Sequence, residues 1–343
     1  ILRDLGKLQE AEISYRKAIE LKPDFAYAHC NLGNTLKDLG NLQEAEISYR
    51  KAIELNPNFA DAHSNLGNIL RDLGKEQEAE ISYRKAIKIK PDYSGSYYNL
   101  GNLLAELGNL QESEISYRKA IELKPDFLEA NWGLYLSSND IDQAEERLKE
   151  CLKIDNKYIK AELHLSAVKL HKNDQSCFKK LRESPHSDSP IIKSIQWVSS
   201  LPKVPEVFFH RYSFYDAMIN QSIKTRPFYE FGVYKGSSFK YLIKTFKKGY
   251  GFDTFEGLPE NWDRFKKGAF SAQGTIPKID GGTFTAGMFE DTLPTFFSKP
   301  RPIASIINFD ADLYSSTICA LNYSKPIIDQ DTILIFDEFI VHE

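Results

Sequence analysis

The phrase EAEISYRKAI at residues 44–53 recurs, almost letter for letter, 34 residues earlier and 34 and 68 residues later. A period of that length means one supersecondary unit copied along the chain. Such a unit cannot bury its apolar face alone, so neighbouring copies must stack into a shared core. Aligned on the period, Leu32-Gly33, Leu66-Gly67 and Leu100-Gly101 coincide. So do Tyr15, Tyr49, Tyr83 and Tyr117; Ala18, Ala52, Ala86 and Ala120; and Pro23, Pro57, Pro91 and Pro125. Each position has a physical task. Glycine inside a helix costs about 1 kcal/mol relative to alanine, so Gly33 and its equivalents imply close helix approach. The alanines are small for the same reason, and the tyrosines fill the space between neighbouring helices. Gly6, Gly40, Gly74 and Gly108 end the first helix of each pair, and the prolines start the next unit.

This set resembles the tetratricopeptide repeat, which implies an all-α, right-handed solenoid with a concave groove over residues 1–170. Copies run at about 1–25, 26–59, 60–93 and 94–127, and degenerate units over 128–170, carrying Ala144, cap the array. Residues 171–225 form a linker and helical lead-in, the first part having linker composition. Asn31, Asn65 and Asn99 stand immediately before the Leu-Gly pairs, and Asn34, Asn68 and Asn102 follow three residues later on the same helix face. A carboxamide both donates and accepts, so a ladder of them suits an extended peptide backbone held without regard to its sequence. The repeat segment looks much like that of O-linked N-acetylglucosamine transferases, whose asparagine ladder binds peptide in this way. Two alternatives stand beside that reading: an unspecified partner role, and solvent-facing polar residues copied with a duplicated unit.

The formal net charge of −4 argues against nucleic acid as an obligatory partner, because phosphate binding needs clustered basic residues. No stretch approaches the ~20 consecutive apolar residues of a membrane helix. There is no secretory signal, and Cys30, Cys151, Cys177 and Cys319 lack metal or disulfide spacing, so a cytoplasmic setting is expected. Oligomeric state is not legible.

From Pro227 short apolar runs alternate with helical patterns, the signature of a parallel α/β sheet. A strand at residues 228–233 ends in a glycine-containing turn and is followed by a helix over 239–247. Glycine at such a turn lets a ligand approach the backbone. A second strand at 250–253 ends in Asp253, at the spacing of an acid that holds a ribose hydroxyl. Further strands are expected at 303–309 and 332–336, each ending in acidic residues. Asp310, Asp337 and Glu338 thus fall at strand carboxyl ends, where open α/β sheets bind ligands. Carboxylates converging there would repel one another unless a cation intervened, and hard oxygen ligands favour Mg²⁺. The alternative is strand-end caps bonded to backbone amides.

The runs EFGVYKGS (230–237), DTFEGLP (253–259), FEDTLP (289–294) and DADLYSST (310–317) together resemble the macrocin O-methyltransferase family over roughly residues 226–343. The resemblance implies a Rossmann-like class I methyltransferase domain using S-adenosylmethionine. Glu230, Gly232, Gly236 and Ser237 would line the methionine part of that cofactor, Asp253 would hold its ribose, and Met288 would lie near the adenine. It also implies Mg²⁺ on Asp310, Asp337 and Glu338, although the last position is usually Asp in that family. Asp310 is the candidate for a dual metal and general-base role. Phe255, Trp262 and Phe265 would serve as a lid or sugar-stacking face, or as packing for their loop. Members of this class usually continue beyond the point where this chain stops, so a fragment or a truncated sheet is expected.

The leading expectation is therefore a metal-assisted O-methyltransferase acting on a sugar or glycan-like hydroxyl, with repeats that dock a protein or peptide. The competing one is a repeat adaptor carrying a non-catalytic methyltransferase-like domain. A glycosyltransferase reading rests on the N-terminal resemblance alone.

Overall fold

The computed structural model describes residues 6–138, 140–183, 190–202, 206–261 and 265–336. The chain divides into two compact units, Ile1–Ala161 and Glu162–Glu343.

The first unit is helical throughout: α1 (Leu8–Leu21), α2 (Ala26–Asp38), α3 (Leu42–Leu55), α4 (Ala60–Asp72), α5 (Glu76–Ile89), α6 (Ser94–Glu106), α7 (Leu110–Leu123), α8 (Leu128–Leu136), α9 (Ile141–Ile154) and the start of α10 (Ile159–His171). Helix pairs follow the repeat: α2 lies on α3, α4 on α5 and α6 on α7. The close approach expected at the mid-helix glycines is present. A Cβ on Gly33 would fall 2.8 Å from the Tyr49 ring, and one on Gly67 2.6 Å from the Tyr83 ring. Both tyrosines are fully buried, as are Ala52 and Ala86. Each first helix ends at a glycine in the left-handed region, Gly40, Gly74 or Gly108. The N–H of the following residue (Asn41, Lys75, Asn109) donates back to Leu36, Leu70 or Leu104 at 2.8 Å. This is the Schellman closure that satisfies a helix's last carbonyls. Helices α2, α4, α6 and α8 touch one another in succession, which places them on the inner side of the array. The outer helices are bridged by Arg16–Glu44, Arg50–Glu78 and Arg84–Glu112 at 2.7, 2.6 and 2.8 Å.

The second unit continues with α11 (Ser176–Arg182), α12 (Pro190–Ser199) and α13 (Arg211–Gln221). Then follow β1 (Phe228–Phe231), α14 (Ser237–Phe246), β2 (Gly249–Asp253), β3 (Gly282–Ala286), α15 (Phe289–Phe297), β4 (Ile306–Phe309), α16 (Tyr314–Ser324) and β5 (Ile333–Phe336). The five strands form one parallel sheet in the order β3-β2-β1-β4-β5. Side chains alternate across a strand, and here both faces are covered. Tyr229, Phe231, Ile307 and Phe309 pack with residues of α15 and α16, while Phe228 and Ile306 pack with residues of α13 and α14. On the first face Phe252, Phe231, Phe309 and Phe336 form a row of stacked rings in strand register.

Two sequence expectations change. The strand expected over 303–309 begins at Ile306, because Ala304 and Ser305 donate their N–H groups to Ile327 and Pro227, outside the strand's ladder. Strand β3 was not anticipated: its sequence, GTFTA, has one large apolar residue and lies half-exposed at a sheet edge. Among the described residues, no helix is long and apolar enough to cross a membrane.

Candidate functional sites

The repeat unit carries its polar ladder on the inner helices. The Tyr49 hydroxyl donates to Asn34 Oδ1 at 2.8 Å, and Tyr83 and Tyr117 donate to Asn68 and Asn102, each at 2.7 Å. The buried tyrosine of each unit therefore orients that unit's asparagine, oxygen inward, and leaves the NH₂ side to be offered. Asn65 Nδ2 donates to Asn34 Oδ1 at 3.1 Å, so rungs from adjacent units are joined. All six asparagines, Asn31, Asn34, Asn65, Asn68, Asn99 and Asn102, are half-buried. One repeat further on, Gly133 stands where Asn31, Asn65 and Asn99 stand in the earlier units, and a Cβ there would meet the Tyr117 ring at 2.6 Å. The ladder thus stops after three rungs, a limit set by packing. Beside it, burial pushes the Cys30 thiol up to about 11, which makes it a poor nucleophile.

In the second unit the expected cofactor residues gather at the carboxyl ends of β1, β2 and β4, around the point where strand order reverses. Asp253 Oδ2 accepts from the N–H groups of Val233 and Tyr234 at 2.8 and 2.7 Å, and its Oδ1 accepts from Phe255 at 2.6 Å. A carboxylate offers about four lone-pair sites, so Asp253 is engaged chiefly in pinning the glycine turn to β2. Gly232 has a positive φ of 93°, and a Cβ there would fall 1.7 Å from the Asp310 carbonyl oxygen. The space that requires glycine here is filled by the neighbouring strand end. Gly236 caps α14 in the left-handed region. Ser237 is exposed, and Met288 caps α15 one residue beyond Gly287, whose N–H donates to the Asp253 carbonyl.

Glu230 is fully buried, and burial pushes its carboxyl up to about 7 despite hydrogen bonds from Ser238 and Asn308. Ser238 Oγ and Asn308 Nδ2 both donate to Oε1, the latter at 3.0 Å, while Oε2 has no partner. Sequence reasoning named Ser237 and missed Ser238 and Asn308. A lone Asn within the apolar run of β4 was the available signal. Asp310 Oδ2 lies 4.0 Å from Nη1 of the exposed Arg211, so a protein cation stands near the carboxylate expected to hold Mg²⁺. Asp337 and Glu338 lie outside the described residues, as does Trp262. Among the described residues no group of three His, Cys, Asp or Glu side chains is placed to hold a metal. Of the aromatic lid candidates, Phe255 is buried in the core and Phe265 packs on Phe270.

A cleft of about 360 Å³ opens between the segment leading into α13 and the ends of β4 and β5. Phe208, Phe209, Phe214 and Phe336 line it together with the polar and charged side chains of Glu206, His210, Arg211, Tyr215 and Asn308.

Tetratricopeptide repeat models match residues 26–59, 48–81 and 94–127, and a TPR repeat model matches 1–40 and 67–108. Comparison with curated protein sequences gave no match. Among solved structures, MamA is 26% identical with a TM-score of 0.43, covering 46% of this chain and 95% of its own. YrrB, described as a TPR protein with an unusual peptide-binding site, is 21% identical with a TM-score of 0.46, covering 53% and 97%. PilW, a type IV pilus biogenesis factor, is 17% identical with a TM-score of 0.50, covering 57% and 93%. Residues 1–127 are a tetratricopeptide repeat array, and the likeness to PilW is one of fold.

Proposed function

We propose that this chain is a protein-binding repeat adaptor whose inner helices hold an extended peptide segment. The observation that carries the reading is the orientation of Asn34, Asn68 and Asn102 by Tyr49, Tyr83 and Tyr117. A preset amide needs little ordering on binding, which lowers the entropic cost of grasping a peptide backbone. The rungs recur with the repeat, so they suit a ligand that is itself regular and extended. The test is pull-down of peptide-library ligands by the full chain and by variants with Asn34, Asn68 and Asn102, or Asn31, Asn65 and Asn99, all changed to Ala. Binding should fall at least about tenfold, as expected for the loss of several hydrogen bonds. Undiminished binding would reject the ladder.

A second reading, S-adenosylmethionine-dependent O-methyl transfer to a small-molecule or glycan hydroxyl, is favoured by the grouping of Glu230, Gly232, Asp253 and Asp310 at the strand-order reversal. Against it, Asp253 already accepts three backbone N–H groups, the space at Gly232 is filled, and Asp310 faces Arg211. These residues do not form an open cradle for the cofactor. Calorimetry of the full chain with S-adenosylmethionine, with and without Mg²⁺, separates the two readings of this unit. Absence of heat in both titrations would leave it as a non-catalytic partner of the repeats.

A further inference from the structure

The outer helices carry a line of side chains that repeats with the array. On α3, Glu44, Ile47 and Arg50 follow one another at every third residue and so share one helix face. Arg50 crosses to Glu78 on α5 at 2.6 Å, and Ile81 and Arg84 continue the line there. Arg84 crosses in turn to Glu112, next to Ile115 on α7, and Ile13 and Arg16 on α1 begin the line through Arg16–Glu44. Isoleucines therefore alternate with ion pairs from α1 to α7. The isoleucines are between 62% and 69% exposed. The adjacent Glu46 has only 13% of its side chain exposed and is held by Arg50 and Lys75 at 2.9 and 2.8 Å. The helix thus turns a carboxylate inward and an isoleucine outward, the reverse of what a solvated face needs. A single exposed apolar residue is ordinary, but four in one row form a surface that gains by being covered.

Charge decides what covers it. Each Arg–Glu pair is a dipole along the row, and all three point the same way, with the arginine on the earlier repeat. A second such row laid in the same direction would set arginine on arginine. Laid in the opposite direction, about a two-fold axis through the Arg50–Glu78 pair, it sets Arg50 on Glu78, Arg16 on Glu112 and Glu44 on Arg84. The same rotation sets Ile47 on Ile81 and Ile13 on Ile115. A two-fold interface needs this kind of self-complementarity, and a second copy has the matching period by construction. The arginines are already held, Arg50 by both Glu46 and Glu78, so docking orders few further side chains. We infer that the outer face of the repeats is a homodimer interface in which two copies of this chain dock row on row in opposite directions. The outer side of a solenoid is convex, so the contact is closest at the axis, and Ile47 and Ile81 carry most of it. The inner helices stay clear, so this inference goes beyond the peptide-binding reading and fails separately from it.

Sedimentation velocity of the full chain over a micromolar concentration series tests it, and the wild type should show a monomer–dimer equilibrium. Ile47→Lys combined with Ile81→Lys should weaken the dimer at least about tenfold, since it removes the central apolar contacts. A charge exchange tests the direction of docking. Arg50→Glu alone sets like charges face to face across the axis, and so does Glu78→Arg, so each variant by itself should sediment as a monomer. Mixed in equal amounts, each variant supplies the charge the other lacks, and the dimer should return. These side chains are about half-exposed, so the fold should survive, which circular dichroism checks. A dimer indifferent to the isoleucine changes, or a mixture no more dimeric than its two components, would overturn the proposal. A wild type that stays monomeric would also overturn it and leave the row to a different protein.

Discussion

The two units differ in how far they satisfy the polar groups they bury. In the repeats most deeply placed hydroxyls have a matched partner built into the same copy: Tyr83 reaches Asn68, and Ser82 returns to the Glu78 carbonyl, while Ser96 Oγ in α6 is left without one. In the α/β unit, polar atoms are buried with valences left open, at Glu230 Oε2, Ser305 Oγ and Asn308 Oδ1. A unit satisfied largely from within is a scaffold whose surface is free to bind. A unit with open valences near a cleft carries its chemistry inside. The difference teaches where substitutions should be felt as lost stability and where as altered ligand or pH response.

The sharpest way to break the comparison is Gly67→Val. The added atoms collide with the buried Tyr83 ring, and overpacking of this kind should cost about 3 kcal/mol in urea unfolding. A loss below about 1 kcal/mol would show that the array is loosely packed and that the glycine is not a contact residue.

Glu230 comes next. Its folded pKa, about 7, lies above the ordinary 4.5, so the folded state binds the proton more tightly than the unfolded chain. The associated stability is fully present below about pH 4.5 and is lost as the pH rises through 7. Over that interval the wild type should lose about 2 kcal/mol more than Glu230→Gln, by paired denaturant titrations at pH 5 and pH 8. Parallel pH profiles would place the proton elsewhere.

Smaller effects sharpen the contrast. Tyr83→Phe removes the hydroxyl that orients Asn68 and should cost about 1 kcal/mol. It should also weaken peptide capture, whereas a purely structural hydroxyl would change stability alone. Smallest is Arg50→Ala. Its pair with Glu78 is half-exposed on the outer helices, so thermal melting should show a change below about 0.5 kcal/mol that vanishes in high salt.

How much was legible follows the same division. The repeats were readable because repetition turns each residue into its own control: a glycine opposite a tyrosine in three copies has one economical explanation. Strands β1, β2 and β5 were readable from apolar runs, and β3 was not, because GTFTA at an edge lacks the continuous apolar signal of a buried strand. The residues around Asp253 were found from their spacing, but not their engagement. Sequence places Asp253 after a strand; it does not say that Val233, Tyr234 and Phe255 will turn their amides toward it. Likewise the partnership of Glu230 with Asn308 joins positions far apart in the chain and arises only from strand pairing.

The near identity of the units also has a consequence for folding. Gly33 is built to receive Tyr49, yet Tyr83 presents the same ring on the same helix pattern one copy later. Chemistry barely distinguishes the right tyrosine from the wrong one, so the distinction falls to chain connectivity. Closing the loop from Gly33 to Tyr49 rather than to Tyr83 is favoured by about 1 kcal/mol on loop entropy alone, and the tight turn at Gly40 widens that margin. Out-of-register pairing between copies is the trap such a landscape offers. The left-handed glycines between paired helices therefore act as proofreaders: they fix which neighbour each helix meets first.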